Sequence, residues 1–225
     1  MAKFFILGEN GSVKNMFIGA GWKQVLNPKE VNRATLVVFT GGEDVTPSLY
    51  GEGKHTHTYS NFGRDMREAK AYKEFLASPK VGICRGHQFL AVMNGCKLIQ
   101  HADGHAGSHD ALIETPSGLK TMEVSSTHHQ QVKEPLGSED INYILLGFSD
   151  LSTYKEGTDK YNIKTKLSKD QLDRQSDVEA IYFPESRSLG FQFHPEFYAS
   201  EMRGAFFDII KDRYGLQGRK EKVVI

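Results

Sequence analysis

Cysteine is nearly absent: 225 residues hold only Cys84 and Cys96. Two thiols cannot build a disulfide scaffold or a cysteine-rich zinc site, so the count points to a reducing compartment. An excess of either charge is missing too, with 28 Lys and Arg against 28 Asp and Glu. A nucleic-acid or membrane-surface binder would show a basic surplus or stripe, so neither partner is expected. Long apolar runs are also lacking. Phe4-Phe5-Ile6-Leu7 after Met1-Ala2-Lys3 is too short for a signal-peptide core, and nothing approaches the roughly 18 apolar residues of a spanning helix. Asn10-Gly11-Ser12 matches a glycosylation acceptor, but without a secretory signal it reads as chance. These absences predict a cytoplasmic protein. With 39% hydrophobic and 25% charged residues, the composition is that of a globular domain with ample length for a core.

What is present is a series of short apolar runs. Lys3–Leu7, Leu36–Thr40 and Val81–Ile83 have the brevity and the β-branched or aromatic content of buried strands. Arg64–Ala77 carries Met66, Ala69, Tyr72 and Leu76 near helical spacing and stops at Pro79. His87–Asn94 reads as a mostly buried helix capped by Gly95, followed by a strand at Lys97–Ile99. Later come strand candidates at Leu112–Ile113, Met122–Val124, Tyr143–Leu146, Val178–Phe183 and Leu189–Phe193, with a turn at Pro184–Ser188. A helix at Glu201–Tyr214 closes the pattern, and no internal repeat is present. Strand–helix alternation followed by hairpin-like pieces predicts one α/β domain over 1–225 with a mixed sheet. The polar stretch at about 149–177 reads as a surface insertion.

Chemistry concentrates at Val81-Gly82-Ile83-Cys84-Arg85-Gly86-His87-Gln88. A strand runs into a cysteine, a helix begins at once, and glycines stand two residues to either side. That is the pattern of a nucleophile elbow, where crowding at the turn excludes Cβ atoms from the neighbours. The helix N-terminus favours thiolate, and the Arg85 N–H would point at an oxyanion. Cys96 has no such setting and reads as core. Phe193-His194-Pro195-Glu196 supplies a base and a carboxylate. If extended chain continues through Glu196, the two side chains point the same way. The carboxylate could then fix the tautomer of the imidazole and stabilise its protonated form. Gly41-Gly42, ending a buried strand, could complete the oxyanion hole.

Taken in order, these pieces resemble the class I glutamine amidotransferase superfamily, and most closely its γ-glutamyl hydrolase branch. The resemblance is carried by Gly41-Gly42-Glu43-Asp44-Val45-Thr46-Pro47-Ser48-Leu49-Tyr50-Gly51-Glu52, Arg64-Asp65 and Gly82-Ile83-Cys84-Arg85-Gly86-His87-Gln88. Ser126-Thr127-His128-His129-Gln130 and Phe193-His194-Pro195-Glu196 complete the set, which spans roughly residues 36 to 213. It implies a flavodoxin-like, mostly parallel central sheet flanked by helices. Cys84 would be the nucleophile, His194 the general base and acid, and Glu196 the orienting carboxylate. Gly42 and Arg85 would offer N–H groups to the oxyanion. Gln88 falls where the family holds the glutamyl α-amino and α-carboxylate end, and His128 and His129 fall beside the same substrate.

The activity so implied is hydrolysis of the γ-amide of glutamine or of a γ-glutamyl amide through a cysteinyl thioester, with no cofactor. One alternative is the ammonia-supplying glutaminase part of an amidotransferase, whose synthetase would be another protein because no ATP-binding motif is present. The other is a catalytically silent binding module, against which the intact Cys84, His194 and Glu196 set speaks. His87 stands where the family usually has methionine or another apolar residue, and the 149–177 stretch is longer than the hydrolase branch needs. Both leave the leaving amine open. Oligomeric state is not written in the sequence. His101, His105 and His109, four apart, would share one face of a helix, but Gly104 and Gly107 argue against a helix there. With no HExxH pattern either, no metal is expected.

Overall fold

A computed structural model describes residues 1–135, 138, 140–149, 155–156, 177–197 and 201–219. Almost all of the 149–177 stretch therefore lies outside the described residues. At the centre is a nine-stranded sheet of order β2-β1-β3-β4-β13-β12-β10-β7-β8. The pairings among β1 (Lys3–Leu7), β2 (Lys23–Gln24), β3 (Thr35–Phe39), β4 (Lys80–Ile83) and β13 (Ser188–Phe191) are parallel. From β13 onward, through β12 (Asp177–Phe183), β10 (Ile144–Ser149), β7 (Ala106–Thr115) and β8 (Gly118–Thr127), each pairing is antiparallel. The expected parallel sheet with an antiparallel second half is the observed one. Two short ribbons flank it, β5 (Leu98–Ile99) with β9 (Gln131–Val132), and β6 (His101–Ala102) with β11 (Lys155–Glu156).

Helices cover both faces, which is why the central strands carry no polar alternation. In β3 every residue is buried. Leu36 and Val38 join the cluster of Phe4, Phe17, Phe191 and Phe206, under α1 (Gly11–Gly19) and α4 (Glu201–Tyr214). Val37 and Phe39 face the other way, with Tyr72 and Phe89 of α2 (Phe62–Glu74) and α3 (Arg85–Met93). Helix α3 ends where expected, and Gly95 takes the positive φ of +91° that its residue type permits. The turn at residues 184–187 also stands where expected.

Three elements depart from expectation. Helix α1 has a clear start in Asn10, whose side chain accepts from the Val13 N–H at 3.0 Å; this asparagine is a helix cap. The second departure is the hairpin of β7 and β8, each ten residues long rather than two or three. Its outer face is solvated, so Asp110, Glu114 and Glu123 interrupt the apolar pattern without ending the strands. Finally, the extended chain of β13 stops at Phe191, and residues 192–197 form bends and a turn closed by Phe197 N–H on the His194 carbonyl. The His194–Glu196 alignment is therefore made by a turn rather than by a continuing strand.

Candidate active site

Strand register brings the site together. Phe191 of β13 pairs with Ile83 of β4, and the Cys84 N–H donates to the Phe191 carbonyl at 2.8 Å. His194 thus arrives beside Cys84 although the two are 110 positions apart in the chain. On the other side, Phe39 of β3 pairs with Gly82, which sets Gly41-Gly42 at the same carboxyl edge of the sheet. Ligands of open α/β sheets bind there.

Cys84 has φ +51° and ψ −111°, a backbone conformation that an L-residue holds only under constraint. The constraint is visible in the flanking glycines. A Cβ on Gly82 would run into the Gly86 carbonyl, and one on Gly86 into the Phe39 carbonyl. Cys84 is the N-cap of α3, so the Arg85 N–H is the first of the helix and has no intrahelical acceptor. Cys96 sits in the core among Leu90, Ala91 and Leu98, where burial pushes its thiol up to about 12.

His194 Nδ1 lies 2.8 Å from Glu196 Oε1. Burial alone would lower the His194 pKa, but the Cys84 side chain and then Glu196 outweigh it and lift it to about 10. The shift favours the protonated imidazole, the form that can hand a proton to a leaving group. The surroundings hold the ring in place. Ser125 Oγ accepts the His194 N–H at 2.9 Å, Phe197 stacks on the ring at 4.4 Å, and Arg203 of α4 donates to the Pro195 and Glu196 carbonyls at 2.8 and 3.0 Å.

In front of Cys84 opens a pocket of about 260 Å³. It is smaller than the roughly 300–1,000 Å³ of drug-sized ligand sites, and so suits an amino-acid-sized group. Gly42, Arg85, Gln88, His128 and His129 line it, so every expected substrate-side residue meets there with Cys84. Gln88 is fixed by donating to the Gln130 carbonyl at 2.8 Å and to Gln192 Oε1 at 3.1 Å. His129 lies 3.3 Å from Asp44, whose hydrogen bond raises its pKa; His128 is buried, which pushes its pKa well down.

Other residues had no role in the sequence reading. Asp44 and Tyr59 line the same pocket, with the Tyr59 N–H donating to Asp44 at 2.7 Å. Beneath lies an ionic staple. Arg64 donates to the Thr40 and Gly41 carbonyls at 3.1 and 3.0 Å and pairs with Glu43 and Glu68, each at 2.9 Å. The Arg85 side chain pairs with Asp65 and Glu68. Gly42 sits at φ +146° with a Cβ position already filled by the Arg64 guanidinium. The signal available was Arg64, Asp65 and Glu68 on one turn of α2, of which only Arg64-Asp65 stood out in the sequence. His87 lies outside the pocket lining, fully buried against Gly190, where burial drops its pKa to about 3.

The four-apart histidines also form no helix. Around strand β7, His105 and His109 meet Glu179 of β12, with one ligand-type atom from each within 4.8 Å of the others.

The structure is thus an open α/β sheet with a cysteine elbow at its carboxyl edge and a histidine–carboxylate pair beside it. Residues 28–196 match the family model described as Peptidase C26, and the chain belongs to that family and to the class I glutamine amidotransferase superfamily. The glutamine amidotransferase-like protein YvdE of Lactococcus lactis subsp. lactis is 32% identical over 170 residues, which is 71% of this chain and 65% of that protein. This chain thus spans slightly under two thirds of that relative's length. Among solved structures, a Thermoplasma acidophilum protein described as a GMP synthase subunit superposes with a TM-score of 0.60 at 18% identity, covering 96% of this chain and 93% of that one. A glutamine amidotransferase of Thermotoga maritima gives a TM-score of 0.55 at 15% identity, covering 94% and 83%. At these identities the likeness is one of fold.

Proposed function

We propose that this chain hydrolyses the γ-amide of glutamine or of a γ-glutamyl amide through a thioester on Cys84. The observation that carries the reading is the His194–Glu196 pair, 2.8 Å apart, set beside Cys84 at an elbow whose backbone is held at positive φ. The Cys84 thiolate attacks the γ-carbonyl carbon, and the resulting oxyanion is received by the Arg85 N–H and Gly42. As the tetrahedral intermediate collapses, the imidazolium of His194 protonates the departing ammonia or amine, leaving a glutamyl thioester and a neutral imidazole. The imidazole then takes a proton from water as it attacks the thioester; collapse of the tetrahedral intermediate expels the Cys84 thiolate, the glutamic acid product loses its carboxyl proton to solvent, and the imidazolium–thiolate pair is restored. Glu196 keeps Nδ1 protonated, so that Nε2 faces the reaction. Gln88, His128 and His129 shape the pocket around the glutamyl unit, and Asp44 at its rim offers a carboxylate to the α-amino cation.

A second reading, a glutaminase that hands ammonia to a separate synthetase, has support in the likeness to a protein described as part of a GMP synthase. A substrate panel separates the two. Turnover of γ-glutamyl amines by the chain alone supports the hydrolase. Glutaminase activity that rises with a co-purifying synthetase supports the ammonia-supplying role. Full activity in Cys84→Ala would sink both. Two free thiols suit a reducing compartment, and among the described residues no helix is long and apolar enough to cross a membrane.

A further inference from the structure

Behind the pocket wall lies a polar cluster that the hydrolytic mechanism does not use. Glu179 is 1% exposed; among the described residues its carboxylate meets His109 Nε2 at 2.8 Å and the Ser149 hydroxyl at 3.0 Å, and its second oxygen has no hydrogen-bond partner. Among the described residues no lysine or arginine pairs with it. A buried carboxylate of this kind is costly unless a cation or a full set of donors compensates it. The His109 ring, also largely buried, has a second nitrogen, Nδ1, without a partner among the described residues. His105 completes a set of two imidazoles and a carboxylate, one ligand-type atom from each lying within 4.8 Å of the others. Asp177 adds a carboxylate oxygen 3.3 Å from His105 Nε2, a contact of the type that orients metal-bound imidazoles.

Strand geometry explains why the pattern escapes a helical reading. Positions four apart on an extended chain share a face, as they do on a helix. His109 therefore looks from β7 across β10 to Glu179 on β12, and His105, just ahead of β7, joins it. The choice of ion follows from the donors. Two imidazoles with one carboxylate suit a borderline divalent ion, whereas magnesium and calcium select oxygen-only sets. Ligand atoms about 2.1 Å from zinc stand about 3.4 Å apart, so side-chain shifts on the order of 1 Å close the site.

We propose that His105, His109 and Glu179 bind a divalent first-row transition ion of the zinc type, which fastens β7 to β12 behind the pocket. The His105 ring lies 4.4 Å from that of His128, so the ion would sit one residue behind the wall facing Cys84. The proposal does not depend on the hydrolase reading. Its test uses the full-length chain without a histidine tag, carrying Cys84→Ala so that no thiolate site competes. Titrated with Zn²⁺ against a chromophoric chelator, this protein should take one equivalent per chain, unaffected by millimolar Mg²⁺. His109→Gln and Glu179→Gln in the same background should each weaken binding at least 10-fold. X-ray absorption of the zinc-loaded Cys84→Ala chain should show a nitrogen and oxygen shell with two imidazoles, a result that needs neither cluster variant to fold. No stoichiometric binding, as for a bare His109–Glu179 ion pair, would overturn the proposal. So would binding that both cluster variants retain, or a shell with fewer than two imidazoles.

Discussion

His194 and Glu196 stand 2.8 Å apart at the carboxyl edge of the parallel strands; His109 and Glu179 stand 2.8 Å apart inside the antiparallel ones. The partners and the distance are the same, and the difference lies in the third neighbour. The first pair adjoins a cysteine held at a strained elbow, whose side chain raises the imidazole's pKa. The second adjoins another imidazole, a further carboxylate and the Ser149 hydroxyl in place of a thiol, the arrangement proposed above as a ligand set. A histidine–carboxylate pair is thus assigned its chemistry by what the tertiary fold sets next to it.

The largest expected effect comes from removing the thiol. Cys84→Ala should lower kcat/KM for a γ-glutamyl amide by at least about 10³-fold, because nucleophile and base act as a unit. Steady-state kinetics measures it, and near-normal turnover would erase the distinction between the pairs. Next in size is Glu196→Gln, with a loss of about 10²-fold in kcat, the lower end for general acid–base catalysis. The pH profile sharpens this. His194 is raised above its ordinary 6.5, so its protonated form is complete below 6.5 and is lost as pH climbs through about 10. The alkaline limb of kcat should fall near pH 10 in the wild type and move to lower pH in Glu196→Gln. The stabilisation tied to the same proton follows the same sign, so Cys84→Ala should begin its alkaline loss of Tm at lower pH than the wild type.

A third prediction concerns the elbow that makes the first pair different. Gly86→Ala drives a Cβ into the Phe39 carbonyl and should cost about 1–3 kcal/mol in a denaturant melt, the usual range for overpacking. An unchanged midpoint would mean that the turn is slack. The smallest effect should come from an ion pair outside both sites. Lys120 meets Glu201 at 3.7 Å with both side chains well exposed, and Lys120→Ala should change stability by less than about 0.5 kcal/mol.

Much of this was legible in the sequence where one property dominates locally. Leu36–Phe39 and Val81–Ile83 are buried on both faces, so their apolar runs announce strands, and glycines around a cysteine announce the elbow. Helix α1 was equally accessible, since Asn10 caps a segment with Val13, Met16 and Phe17 on its buried side. Other features were out of local reach. The β7–β8 hairpin hides its length because its outer face is solvated. The Arg64 staple on Gly41 and the meeting of His109 with Glu179 join positions 23 and 70 apart. Such pairs exist only once strand order is known, and no window of sequence contains them.

The most direct test of the central claim is to identify the atom that is acylated. Incubation with a glutamine-like electrophile, followed by peptide mass spectrometry, should give one label per chain on Cys84 and none on Cys96. A γ-glutamyl substrate should slow the labelling, and Cys84→Ala should abolish it. Labelling of Cys96, or substrate turnover with Cys84 left unmodified throughout, would contradict the account.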